Sequence, residues 1–389
     1  MSNPAICIVG FNRPDSLSRL LSSISNAKYY SKDIELVISI DCKANDEKNR
    51  QTVEIARNFD WKYGKKEVIH RENNYGLKAH ILACGDMLLD KYDSMIMLED
   101  DLFVSPYFYD YSLQLLKYYQ GGNLHKIAGF SLYNHRFNET VGLPFEAIDD
   151  GYDNYFLQMP SSWGQMWTRE QWKSFKMWYK DEKLIDGSEN LPSNILYGSK
   201  KSWKWIFTKY IVEKDFYFVY PSISLTTNFG DAGTHHNNTN SFQVPLLVSN
   251  KQFHFSSIDN SLSMYDSFCE LLPKCIKDKD ATLFSNLTID LYGTKNISKI
   301  ETKYLLSSKK CHKPILSFGM ELKPMDLNVL FGVKGDMFNL GVKDDFENEV
   351  CKTRKYDMEY YNISLKHTKR LLSLAYKMVL SKIKGKIFG

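Results

Sequence analysis

Three consecutive carboxylates, Glu99-Asp100-Asp101, follow the apolar run Met95-Ile96-Met97-Leu98. Such a run, with turn residues beyond it, predicts a buried strand that ends in acid. Three like charges at one strand end repel one another, so stability alone does not ask for them. A divalent cation relieves that repulsion, and hard cations take carboxylate oxygen. A solvated acidic turn is the competing reading, since surface carboxylates are common. The context favours a site. Pro106 opens an aromatic-rich helical stretch, Tyr107 to Tyr119, and strand ends that feed helices are where α/β folds bind ligands.

The elements around this strand alternate. Strands are predicted at Ala5–Gly10, Glu35–Asp41, Glu67–Arg71, Ser94–Leu98 and Lys126–Ser131. Helices are predicted at Asp15–Ile24, with Asp15 as cap after Pro14, and at Glu47–Asn58 and Leu77–Leu89. That order predicts a mostly parallel sheet with helices on both faces. Residues Asn134 to Gly151 read as a loop. The block Ser161-Ser162-Trp163-Gly164-Gln165-Met166-Trp167 then leads into a helix, Arg169–Lys180. Asp181–Ser202 reads as a long polar loop, Trp203–Val212 as a helix, Tyr217–Tyr220 as a strand and Thr227–Asn240 as a further loop. Beyond Ser267 the texture changes: Cys269–Asp280 reads as a helix, and Ile300–Val342 as a small β-rich unit broken by glycine and proline.

At 389 residues, with 43% hydrophobic and 25% charged residues, the composition is that of an ordinary soluble protein. A net charge of +4, evenly spread, gives no footprint for nucleic acid. No apolar run is long enough for a bilayer span and no leader peptide is evident. The seven cysteines lack metal-type spacing and read as reduced thiols, so a cytoplasmic location is expected. The last segment, 366–389, carries six lysines, one arginine and no acid, with Leu371, Leu374, Ala375 and Met378 on one helical face. Either it docks on its own domain or it rests on anionic lipid at the inner face of the membrane.

Several pieces in order carry a resemblance. They are Phe11-Asn12-Arg13-Pro14 after the first strand, Val37-Ile38-Ser39-Ile40-Asp41-Cys42, Leu98-Glu99-Asp100-Asp101-Leu102, Pro160-Ser161-Ser162-Trp163-Gly164, and the later Asn228-Phe229-Gly230 with Thr234-His235. From Ala5 to His254 the chain resembles N-acetylglucosaminyltransferase I and its bacterial relatives. The resemblance implies an α/β GT-A-type fold, that of nucleotide-diphospho-sugar transferases. It implies a hexosyl- or N-acetylhexosaminyl-transferase that uses Mn2+ or Mg2+ and a UDP-sugar. A glycan or lipid-linked glycan in bacterial surface polysaccharide synthesis is the implied acceptor. The expected layout is a transferase domain over 1–267, a mixed β-rich appendage over 268–365 and a basic amphipathic helix over 366–389.

Position by position, the resemblance makes Arg13 a contact to the donor diphosphate, as suits a guanidinium fork, with a plain surface arginine as the alternative. It makes Asp41 the ribose or base contact, against the reading as a helix cap, which Asn45 and Asp46 also suit. Asp101 becomes the metal ligand, while Glu99 and Asp100 orient donor hydroxyls or water, Asp100 thereby entering the catalytic set. Lys78, at a helix start, meets a phosphate or stays solvated. Trp163 and Trp167 fall on the acceptor side, where rings stack on sugars, with a core position the alternative for Trp167. His235, beside His236, joins the metal or donates to phosphate, or remains a solvated loop residue.

The sequence departs from the relatives at one functional position. Where they carry a base aspartate, this chain reads Lys200-Lys201-Ser202-Trp203-Lys204-Trp205, without a carboxylate. Glu182 and Asp181, just after the aromatic helix, are the replacement candidates, with Asp186 and Glu189 further along the same loop. An inactive carbohydrate-binding scaffold therefore stays open. A sugar nucleotidyltransferase fits less well, because Gly10-Phe11-Asn12-Arg13 is short and glycine-poor for a triphosphate loop.

Overall fold

The first strands are short because each is fully buried and bounded by turns. In β1 (Ala5–Gly10), β2 (Leu36–Ile40) and β4 (Ser94–Glu99) every residue but Glu99 is buried, as expected of parallel strands covered on both faces. The edge strand β3 (Lys66–His70) is more open. These four pair in parallel in the order β4-β1-β2-β3. In this computed structural model the described residues are 3–180, 189–197, 202–231, 242–276, 284–363, 371–373, 375–377 and 379–380.

The crossovers are α1 (Pro14–Ser25), α2 (Glu47–Asn58) and α3 (Leu77–Lys91). α1 turns Leu17, Leu20, Leu21 and Ile24 inward at helical spacing. Asp46 caps α2 by accepting from the Asn49 N–H at 2.8 Å. Beyond the acidic triplet come β5 (Leu102–Val104), α4 (Phe108–Tyr118), β6 (Ile127–Ser131) and a small hairpin, β7 (Phe137–Asn138) with β8 (Leu143–Pro144). β9 (Asn154–Leu157), β10 (Gln165–Thr168), α5 (Arg169–Tyr179), α6 (Ser193–Leu196), α7 (Trp203–Glu213), β11 (Tyr217–Pro221), β12 (Thr226–Asn228) and β13 (Met264–Tyr265) complete this part. The main sheet has nine strands, ordered β13-β9-β11-β6-β10-β4-β1-β2-β3. It is mostly parallel, with β10 antiparallel to both β4 and β6, and β9 antiparallel to β11.

α3 and α5 pack closely because residue 85 is glycine. A Cβ there would lie 2.1 Å from the Trp172 ring. Trp172, Trp167, Phe207 and Phe218 form an aromatic centre on which α5 and α7 rest.

The C-terminal part carries a four-stranded sheet of β14 (Leu287–Asp290), β15 (Tyr304–Ser307), β16 (Leu316–Phe318) and β17 (Phe338–Val342), ordered β14-β15-β17-β16. α8 (Asp326–Leu330) and α9 (Lys352–Ile363) lie beside it. One apolar core runs from β1 to β17 and Met358. Buried charge also joins the two sheets, where Lys295 donates to Asp266, and within the C-terminal sheet Lys309 lies 3.2 Å from Asp290, both of those last two almost fully buried. Removing one partner of such a pair strands a charge in the interior and costs about 3–5 kcal/mol.

Several sequence expectations change here. α1 starts at Pro14, with Arg13 at its N-cap and no side-chain cap, so Asp15 is not the cap. α4 starts at Phe108, because Pro106 belongs to the turn before it. The stretch Cys269–Asp280 contains a single short 3-10 turn, Pro273–Cys275, among its described residues, and Cys269 has φ +62°. The Trp163 block runs into a strand, β10, before its helix begins.

Candidate active site

The chemistry gathers where β1, β2 and β4 end. Val9 pairs with Glu99 in register, and the Asp100 N–H donates to the Val9 carbonyl at 3.1 Å. The Asp41 N–H likewise donates to the Gly10 carbonyl at 2.9 Å. Parallel register thus brings the turn after β1, the aspartate after β2 and the acidic triplet after β4 to one sheet edge. A cleft of about 1230 Å3 opens there. Its walls include Arg13, Asp41, Lys78, Glu99, Asp100 and Asp101 on one side, and Trp163, Lys204, Glu139 and Phe242 on the other. Crevices outside the carboxyl ends of parallel strands are the general ligand site of open α/β sheets.

The acidic triplet is neutralised from within the chain. Arg13 forks onto two carboxylates, donating to Asp101 Oδ2 at 2.8 Å and to Asp100 Oδ1. The Phe11 N–H donates to the other Asp100 oxygen at 3.3 Å. Burial pushes the Asp100 carboxyl up to about 6, against the pull of Arg13. Desolvation, with Asp101 close by, pushes Glu99 up to about 8. Asp101 Oδ1 is buried and has no hydrogen-bond partner among the described residues. The backbone at Asp101 is fixed from the far side, where the Phe229 N–H donates to its carbonyl at 3.0 Å.

Asp41 does local work. Its Oδ1 accepts from the Cys42 and Tyr75 N–H groups and its Oδ2 from the Gly76 N–H, each at 2.9 Å. It is 4% exposed. The carboxylate therefore ties the loop before α3 to the end of β2, and Asp46, not Asp41, caps α2. Lys78 follows in the first turn of α3, its ammonium 5.6 Å from the Tyr179 ring. It lines the cleft.

On the opposite wall, β10 runs antiparallel to β4, so its leading end returns Trp163 to the edge where the carboxylates emerge. Trp163 packs between Tyr133 and Phe242, with centroids 4.8 and 5.1 Å away. Gly164 allows this turn: its φ is +93°, and a Cβ would sit 2.8 Å from Thr226, whose hydroxyl donates to the Trp163 carbonyl at 2.5 Å. Trp167, on the same strand, is 0% exposed inside the aromatic centre and lies off the cleft. Of the two readings of Trp167, acceptor contact and core, the structure shows the core position.

Asp181 and Glu182, the expected base candidates, and His235 lie outside the described residues. Glu189 is described and is bound up structurally, its carboxylate pairing with Lys209. Two cleft groups went unrecognised in the sequence. Lys204, in the first turn of α7, donates to Glu139 Oε1 at 3.1 Å. Glu139 is held below its ordinary range chiefly by the Lys204 charge, and Asn194 of α6 reaches its other oxygen at 3.4 Å. Lys204 was visible only as a lysine where an acid was expected, and Glu139 sat in a stretch with no periodic signal. Among the described residues no group of three or more His, Cys, Asp and Glu side chains is arranged to hold a metal ion unaided.

A sheet with these strand ends and this acid-lined cleft defines a GT-A-type α/β domain. Residues 5–136 match the family model described as glycosyl transferase family 2. The expected resemblance holds at the level of that fold and class. Among solved structures, residues 1–349 of S. aureus TarS are similar at 12% identity and TM-score 0.37, over 57% of this chain and 59% of that one. The same TarS fragment in complex with UDP aligns at 11% identity and TM-score 0.36, with the same coverage. The Pyrobaculum calidifontis mannosyltransferase PcManGT in complex with GDP-Man and Mn2+ aligns at 10% identity and TM-score 0.31, over 43% of this chain and 44% of that one. The chain thus spans less than two thirds of the length of these structures. No curated protein matches it.

The role of Asp41 is testable without substrate. Asp41→Ala removes three accepted hydrogen bonds and should cost about 3 kcal/mol of stability. In hydrogen exchange the Tyr75 and Gly76 amides should lose protection while the β1 and β4 amides keep theirs. Unchanged protection at Tyr75 and Gly76 would show that the loop does not depend on Asp41.

Proposed function

We propose that this chain is a metal-dependent glycosyltransferase. It moves a sugar from a nucleotide-sugar donor, a UDP-sugar in the first instance, to a glycan or lipid-linked glycan acceptor in bacterial surface polysaccharide synthesis. The observation that carries this reading is the single cleft at the ends of β1, β2 and β4, which joins Arg13, Lys78 and the acidic triplet to an aromatic wall. Cations on one side suit a diphosphate, and the flat face of Trp163 suits a sugar ring.

The donor set fits a divalent cation. Asp101 Oδ1 is a buried carboxylate oxygen with no partner among the described residues, and an ion would satisfy it. Asp101 would hold Mn2+ or Mg2+, the remaining ligands coming from the donor phosphates and water. Bound there, the ion supplies charge stabilisation for the departing diphosphate. Asp100 works through Arg13 and Phe11, since both of its oxygens are taken within the chain. Glu99 lines the cleft and orients donor hydroxyls or water.

The acceptor hydroxyl attacks the anomeric carbon; the new C–O bond forms as the bond to the phosphate oxygen breaks, and the hydroxyl proton needs a base. Glu139 is a carboxylate on the acceptor wall, and we assign it that role, its Oε2 exchanging the long 3.4 Å contact from Asn194 for the acceptor hydroxyl. Asp181 and Glu182 are the alternatives from the loop after α5.

The basic tail supports a membrane contact. Leu372, Tyr376, Val379 and Leu380 are all exposed and fall on one helical face by their spacing, and residues 364–389 carry no acid. No described helix is long and apolar enough to cross a membrane. A surface-lying basic helix needs no such length.

Two experiments follow. With UDP-sugars and Mn2+, the protein should release UDP, and Asp101→Asn should abolish that release. Of Glu139→Gln, Asp181→Asn and Glu182→Gln, the Glu139 variant should lose about a hundredfold to ten-thousandfold in kcat with donor KM nearly unchanged. Full activity in Glu139→Gln would move the base to the loop, and Mn2+-independent release would overturn the metal assignment. In a co-sedimentation assay the full chain should bind phosphatidylserine vesicles, and binding should weaken with salt and vanish when the chain is cut after residue 365. Equal binding of both chains would exclude the tail as anchor.

A further inference from the structure

The acidic pair is already occupied by a cation of the protein itself. Asp100 spends Oδ1 on Arg13 and Oδ2 on the Phe11 N–H, while Asp101 spends Oδ2 on Arg13 and leaves Oδ1 bare among the described residues. Asp100 is 1% exposed, so this neutralisation happens inside the protein, where an unpaired carboxylate is costly.

Arg13 differs from its partners in freedom. Its side chain is 25% exposed and faces the cleft. Its guanidinium makes no other hydrogen bond among the described residues, so N–H groups remain for a further anion. At the N-cap of α1 it contributes no side-chain cap bond; only its backbone carbonyl, accepting from the Leu17 N–H at 3.0 Å, takes part in the helix. The side chain can therefore swing without unwinding α1. The carboxylates cannot follow, since the Phe11 and Val9 contacts and the Phe229 N–H hold their turn from both sides.

We propose that Arg13 is a displaceable counter-ion, which neutralises Asp100 and Asp101 in the empty cleft and turns to the donor diphosphate as the divalent cation takes its place on Asp101. The proposal rests on the metal-dependent reading above and deepens it. A cation arriving alone meets a like charge seated on its ligand. A cation arriving with a diphosphate does not, because the phosphates give Arg13 another partner of the same fork geometry. Cation and diphosphate then raise one another's affinity by the same factor, as linkage requires. Arg13 is on this account a positioning residue that makes cation uptake conditional on donor.

The test uses the full chain and needs no turnover. Free Mn2+ is followed by electron paramagnetic resonance with and without UDP, and thermal unfolding is followed in parallel. Wild type should bind Mn2+ poorly alone and at least tenfold more tightly with UDP. Arg13→Met should bind Mn2+ alone at least tenfold more tightly than wild type, and UDP should then add much less. Mn2+ alone should raise the Tm of Arg13→Met and leave that of wild type nearly unmoved. Asp101→Asn should bind Mn2+ in neither state. Should Arg13→Met fail to fold, the pair Arg13→Met with Asp100→Asn lowers the bare charge and is held to the same expectation. If UDP promotes Mn2+ binding in wild type but the arginine variants bind Mn2+ alone no better, the counter-ion role is overturned and the metal site stands. If UDP promotes no Mn2+ binding in wild type, the metal-dependent reading fails, and the counter-ion role with it.

Discussion

The fork of Arg13 onto Asp100 and Asp101 is the contact on which the site depends. Two adjacent aspartates at a strand end, one buried and one partly so, would disrupt the edge of the sheet if nothing neutralised them. The protein supplies that charge from the neighbouring strand: β1 and β4 are adjacent and parallel, so the turn leaving one lies over the turn leaving the other. The same register hands Asp41 to the next position along, where it ties down the loop ahead of α3. Three strand ends therefore make a rigid floor. What varies above that floor is which cation satisfies the acids.

The opposite wall is built by a reversal. β10 lies between β4 and β6 and runs against both, so its leading end, with Trp163, faces the acids while its body sinks Trp167 into the core. Two tryptophans four residues apart thus have unrelated tasks. Gly164 makes the reversal sterically feasible, and Phe242 and Tyr133 fix the ring that results. The buried pair Lys295–Asp266 and a shared apolar core bind the C-terminal sheet to this body.

Much of the donor side was legible in the sequence, because buried parallel strands are continuous apolar runs and their ends are marked by turn residues. Ala5–Gly10 is legible to the residue for that reason, and the acidic triplet follows from β4. The partner of the triplet was not legible. Arg13 reads as a phosphate contact from its type and place, and only the three-dimensional register reveals that two carboxylates claim it first. The acceptor wall was harder still. β10 is four residues long and carries no alternation, so it merged with the helix after it. Glu139 and Lys204 lie 65 residues apart and meet through tertiary packing alone. The Cys269–Asp280 stretch has a helix-like apolar pattern, yet its apolar residues pack as irregular chain against β13 and β14.

The most direct test of the account is anomalous scattering at the manganese edge from crystals grown with UDP and Mn2+. The account predicts one peak in the cleft, bonded to Asp101 Oδ1 and the diphosphate, with the Arg13 guanidinium turned from Asp101 onto a phosphate oxygen. A manganese ion bound away from Asp101, or a diphosphate seated with no ion beside this aspartate, would contradict it.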